Sequence, residues 1–142
     1  LAELLPPGST IAAMDRAAKA VKQMPELVGT TRITKHVGEF VTEAFPADLD
    51  GNLLGKALRF VPDQPDFIRR ASASIRPTGV FLLVEYDMDT PTPWVPSPLS
   101  LTTLSGLFPD AGFASVKRLA DRFSTFRRAQ LYSACVAAIM EF

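Results

Sequence analysis

The chain has 142 residues, 47% of them hydrophobic, with 15 Lys and Arg balancing 15 Asp and Glu and a single His. That length suits one domain with a core of its own, and zero net charge removes the electrostatic case for nucleic acid or an anionic membrane as the main partner. One cysteine, Cys135, allows neither an internal disulfide nor a cysteine-built zinc site, which fits a reducing cytoplasm.

Residues 1–5 have the composition of a final helical turn, stopped by Pro6-Pro7-Gly8. No apolar run is long enough to span a bilayer, and no charged-then-apolar leader is visible. The first residue is Leu, as expected of a fragment, a processed chain or an unusual start. Residues 9–14 (Ser-Thr-Ile-Ala-Ala-Met) read as a short apolar strand closing on Asp15. Over residues 16–24, Ala17, Ala20, Val21 and Met24 share one face at helical spacing, with Pro25 as the stop. Residues 31–37 are β-branched and roughly alternating, hence a strand, followed by Gly38-Glu39-Phe40. Asp48-Leu49-Asp50-Gly51 is turn chemistry, and Asn52-Leu53-Leu54 starts a short strand that runs out at Gly55.

Asp63 or Gln64 is placed to cap the next helix, with Pro65 in its first turn and Phe67, Ile68, Ala71 and Ile75 as its buried stripe. Arg76-Pro77-Thr78-Gly79 reads as a turn that feeds Val80-Phe81-Leu82-Leu83-Val84. Five large apolar residues in a row predict a strand buried on both faces, which delivers Glu85-Tyr86-Asp87 to the carboxyl edge of a sheet. Pro91, Pro93, Pro96 and Pro98 surround Trp94 in a loop. Ser100 caps a helix carrying Leu101, Leu104, Leu107 and Phe108, weakened by Pro109 and ended by Gly112. Residues 114–119 and 131–137 read as closing strands, joined by a basic segment over residues 121–128. The alternation predicts an α/β chain, its sheet mostly parallel with one antiparallel strand near the end.

These residues resemble the later part of a class I S-adenosylmethionine-dependent methyltransferase, from its second strand to its last. The likeness rests on Ala-Met-Asp15-Arg16, Gly38-Glu39-Phe40, Asp50-Gly51-Asn52-Leu53-Leu54, Leu58-Arg59-Phe60-Val61-Pro62-Asp63 and Arg76-Pro77-Thr78-Gly79. It covers nearly the whole chain, in short motifs of moderate specificity. It implies a single partial domain over residues 1–142: a three-layer Rossmann-like sheet, mostly parallel with one antiparallel strand, that lacks the family's first strand. It also implies S-adenosylmethionine as cofactor. Asp15 and Arg16 would lie at the ribose, Glu39 and Phe40 at the adenine and Gly55 along the cofactor, with Arg59, Tyr86, Asp87 and Trp94 at a small-molecule acceptor. No metal is implied, and no catalytic residue is identified beyond Asp87 as a candidate base.

The family's glycine-rich loop is absent: no Gly-x-Gly occurs anywhere in the chain. In this fold the first strand lies between the second and fourth, so its loss leaves two strands with unpaired backbone. Three outcomes stay open: a piece of a longer protein, a partner chain that fills the gap, or closure of the flanking strands on each other. Lys56 and Arg59 also depart from the family, which often has a small polar residue and a His there.

Each site residue has a plainer reading. Asp15 is equally an N-cap, Glu39 an exposed turn carboxylate, His36 a surface residue, and Cys135 a buried inert thiol. Trp94 either walls a pocket or pins its loop, while Lys117, Arg118, Arg122, Arg127 and Arg128 form either a solvated face or an anion site. Two functions follow: methyl transfer to a small molecule as part of a longer or oligomeric protein, or a truncated non-catalytic module that dimerises through its sheet.

Overall fold

The computed structural model describes residues 1–124 and 129–138, and the chain divides into two compact units, Leu1–Pro46 and Ala47–Phe142. In the first unit a 3-10 turn at Ala2–Leu4, in place of the expected last turn of an α-helix, precedes β1 (Thr10–Asp15). Helix α1 (Ala18–Gln23) then leads to β2 (Leu27–Val28) and β3 (Thr31–Val37). The helix is shorter than its apolar face predicts, for local reasons. Asp15 takes the N–H of Ala17, and Met24, the residue before Pro25, is forced into extended backbone. Strand β3 lies parallel to β1, from Thr10↔Arg32 to Asp15↔Val37, and antiparallel to β2 across a two-residue turn with Gly29 at φ +60°. The order is β1-β3-β2.

In the second unit β4 (Leu49–Gly55) begins earlier than expected, because the chain reverses at Asp48 alone, at φ +57°. A 3-10 turn at Leu58–Phe60 leads into α2 (Gln64–Ala73), and Asp63 caps it by accepting the Asp66 N–H at 3.2 Å. Phe67, Ile68 and Ala71 are buried as the helical spacing demands, but Ile75 already belongs to β5 (Ile75–Tyr86). The Arg76–Gly79 segment is therefore a bulge inside a strand. Between the pairs Leu49↔Ile75 and Gly51↔Val80, β4 advances two residues while β5 advances five.

Strand β5 is parallel to β4 and antiparallel to β7 (Ala129–Ala138), which pairs in turn with β6 (Phe113–Ser124), giving the order β4-β5-β7-β6. Helix α3 (Leu101–Leu107) is capped by Ser100 and passes into a 3-10 turn at Pro109–Ala111, which ends at Gly112 with φ +92°. The core gathers on one face of the sheet, where Phe81, Phe108 and Phe113 meet pairwise at 5.2–5.6 Å between ring centres.

Two expectations about the sheet need correction. Both sheets are mixed, because β2 as well as β7 runs antiparallel to a neighbour. The short β2 forms because the connection from α1 folds back as a hairpin before β3. And β5 is fully buried on one face only: Phe81, Leu83 and Glu85 are buried, whereas Val80, Leu82 and Val84 are half-buried. Cys135, opposite Leu82 on β7, shares that half-covered face and is half-buried, contrary to the expected buried thiol. Among the described residues β1 pairs only with β3 and β4 only with β5.

Candidate functional site

In the first unit the carboxyl ends of β1 and β3 bring Asp15, Arg16 and Glu39 together. Gly38 donates its N–H to the Asp15 carbonyl at 3.1 Å, and Arg16 Nη1 lies 4.0 Å from Glu39 Oε2. Asp15 Oδ1 accepts from Ala17 N–H at 2.8 Å, which ties a local turn just outside α1 rather than capping the helix. Glu39 has its side chain 43% exposed and holds the Val41 N–H, and Phe40 beside it is half-buried. His36 is an exposed partner of Glu43, at 2.6 Å, as a surface position predicts. Gly38 packs against the carboxylate of that glutamate, which a Cβ there would displace.

In the second unit Gly55 ends β4, exposed, and Lys56 adopts φ +54° while donating its N–H to Val84 at 2.7 Å. Arg59 follows in the 3-10 turn, its guanidinium 4.7 Å from the Phe60 ring centre and 5.5 Å from that of Tyr86, the buried last residue of β5. Asp87 accepts the Leu101 N–H at 3.0 Å and so ties the end of β5 to the start of α3. Asp89 does likewise through Thr103, and the hydroxyls of Ser100 and Thr103 hold its carboxyl below the usual range. Trp94 is 57% exposed at the tip of a short turn in which Thr92 and Val95 exchange backbone hydrogen bonds.

The proline loop is tied down at several points. Ser97 N–H donates to the Arg59 carbonyl, Gln64 bridges the Leu58 and Ser97 carbonyls, and Tyr132 O–H reaches Leu99 at 2.8 Å. Arg59, Tyr86 and Asp87 thus share one hydrogen-bonded edge of the sheet. In the basic cluster, Arg118 is paired with Asp121 through Nε at 2.8 Å, while Arg127 and Arg128 lie outside the described residues.

The residue that the sequence did not single out is Glu85. It is 1% exposed, opposite Tyr132 on the buried face. Burial raises its carboxyl to about 7, partly offset by the backbone N–H groups of Arg59 and Leu58 and by the Arg59 charge. Burial and the Glu85 carboxylate push the Tyr132 phenol up in turn. Alternation with Phe81 and Leu83 was the available signal.

The chain has the class I S-adenosylmethionine-dependent methyltransferase-like fold. Solved structures show it at low identity, where the likeness speaks for the fold. A SAM-dependent methyltransferase of Methanosarcina mazei superposes with a TM-score of 0.67 at 14% identity, covering 94% of this chain and 84% of the other. A SAM-dependent methyltransferase of Thermotoga maritima, a possible histamine N-methyltransferase, gives 0.67 at 13% identity over 94% and 83%. The Burkholderia thailandensis 1,6-didemethyltoxoflavin-N1-methyltransferase, solved with 1,6-didemethyltoxoflavin and S-adenosylhomocysteine, gives 0.61 at 17% identity over 91% and 61%. No family model and no curated protein matches the sequence. Among the described residues no helix is long and apolar enough to cross a membrane.

Proposed function

We propose that the chain takes part in methyl transfer from S-adenosylmethionine to a small molecule, as most of one methyl-transfer domain. The observation that carries the reading is the fold itself: an α/β chain, 94% of which superposes on a SAM-dependent methyltransferase. Asp15 is the ribose ligand in this reading. One of its oxygens is engaged by Ala17 N–H, and a carboxylate has lone pairs left to accept from two vicinal hydroxyls. Arg16 orients the neighbouring Glu39, which with Phe40 takes the adenine, and the exposed Gly55 lets backbone approach the cofactor. Arg59, Tyr86, Asp87 and Trp94 serve the acceptor. The protein's contribution to rate is to hold donor and acceptor in line at attack distance.

Calorimetric titration of S-adenosylhomocysteine into the purified chain tests this. Micromolar binding that disappears in Asp15→Ala supports it, and no heat at millimolar ligand removes it. A second reading, a non-catalytic module that self-associates, is favoured by one observation: β1 and β4 each pair on one side only among the described residues. Concentration-dependent dimerisation in sedimentation together with absent cofactor binding selects that reading, and a monomer at every concentration excludes it.

A further inference from the structure

Glu39 stands beyond the end of β3, in the first unit, so its position has to come from the loop that carries it. Its carbonyl accepts the N–H groups of Thr42 at 3.2 Å and Glu43 at 3.1 Å, which makes residues 39–43 a single turn. One isolated turn is weak, because its few hydrogen bonds do not offset the dihedrals they fix. Glu43 fastens this one to the strand. Its Oε2 lies 2.6 Å from Nε2 of His36, seven residues back on β3, and its carboxylate occupies the space that a side chain at residue 38 would take. Gly38 is not among the glycines at positive φ, so room for that carboxylate, rather than backbone conformation, is what calls for glycine here. On the near side of the loop the Gly38 N–H donates to the Asp15 carbonyl at 3.1 Å.

The Glu39 carboxyl is set down between two groups. Oε1 accepts the Val41 N–H at 3.4 Å, and Oε2 lies 4.0 Å from Arg16 Nη1. The His36–Glu43 contact adds little to global stability, since the two side chains are 58% and 39% exposed. Its effect is local: it decides whether the turn bearing Glu39 and Phe40 stays against β3. We propose that His36 and Glu43 are positioning residues, whose contact closes the loop over residues 37–42 and holds Glu39 where it accepts from the exocyclic amine of an adenine ring. Neither residue touches the ligand. The inference rests on the reading of Glu39 and Phe40 as the adenine end of the site, and it adds the contact that sets the selectivity of that end.

The test is an NMR titration of the whole chain with adenosine and with purine riboside, which lacks the exocyclic amine. A hydrogen bond to a carboxylate should make adenosine bind about tenfold or more tightly. Gly38→Ala pushes the Glu43 carboxylate, the end of a flexible side chain, out of its seat without changing any charge. His36→Leu removes its partner instead. Each should cut the adenosine preference by up to about fivefold, with purine riboside nearly unaffected. His36→Gln keeps an N–H donor and should restore most of the preference that His36→Leu loses. A merely structural role would weaken both nucleosides alike and leave their ratio unmoved, which overturns the proposal. Should one variant fail to fold, the other still decides. S-adenosylhomocysteine titrated alongside separates the two failures. Its binding with no adenosine preference, or with a preference that the variants do not move, sinks this inference alone. No binding of S-adenosylhomocysteine or of either nucleoside at millimolar concentration removes the methyl-transfer reading and this inference with it.

Discussion

Glu85 shows how a single buried side chain makes stability depend on pH. Its carboxyl titrates at about 7 in the fold against an ordinary value of 4.5, because burial penalises the charged form more than the Arg59 charge and the neighbouring N–H groups favour it. The folded state therefore binds this proton more tightly than the unfolded one. The stabilising effect is complete below about pH 4.5 and is lost as pH rises through 7, over which ionisation removes about 3 kcal/mol. Glutamine at this position has the same shape and no charge. Glu85→Gln should therefore leave urea stability at pH 5 close to that of the parent and exceed it by up to about 3 kcal/mol at pH 8. Denaturation midpoints at the two pH values check this. Parallel pH profiles for the two proteins would mean that the carboxyl is not desolvated.

At the scale of elements, the bulge in β5 is the feature that local sequence misreports. A Cβ on Gly79 would sit 3.0 Å from both the Arg76 and Asp50 carbonyl oxygens and closer still to the Ile75 side chain. The side chain can rotate away; the two carbonyls belong to the bulge and to the neighbouring strand and cannot. Gly79→Ala should destabilise by about 2 kcal/mol through overpacking. Gly106 is the matched control. It lies within α3 with nothing inside 4 Å of an added Cβ, so Gly106→Ala should stabilise by about 0.5–1 kcal/mol through helix propensity. Thermal unfolding of the two variants should shift in opposite directions, and a neutral Gly79→Ala would show that the bulge relaxes freely. Both glycines stand in a plain sequence, yet only register distinguishes them. Helix α2 was legible except for Ile75, which belongs to β5, because Asp63, Pro65 and the Phe67–Ile68–Ala71 stripe act within ten residues of one another. The Pro77-Thr78-Gly79 segment was not, since turn and bulge share a composition and only the partner strand β4 selects between them. The site divides in the same way. Asp15, Arg16 and Glu39 were legible from motifs and do meet, whereas Asp87 proved to be tied to α3 by a contact 14 residues distant. Glu85 hid in plain view, because an acid at a strand end looks solvated until the opposite strand supplies Tyr132.

At the scale of the whole molecule, β1 and β4 each carry one paired and one unpaired edge among the described residues. An unpaired strand edge is a template for another strand unless lysine, proline or a bulge blunts it. The β4 sequence Leu-Asp-Gly-Asn-Leu-Leu-Gly has neither lysine nor proline, and Leu53 on it is 47% exposed. In a parallel pair successive N–H groups point alternately to the two sides. Amides along β4 that point to β5 should therefore exchange slowly with solvent deuterium, and the intervening ones quickly, at low protein concentration. If this edge recruits a second chain, the fast amides should become protected as concentration rises, and Leu53→Lys should restore their exchange by placing a charge on the edge. Residue-resolved hydrogen exchange at two concentrations reads both effects. Protection of every β4 amide in the dilute protein would show that the edge is already covered within one chain. Fast exchange of the alternate amides that concentration leaves unchanged would remove self-association by this edge, while leaving the Asp15 cofactor test to stand on its own result.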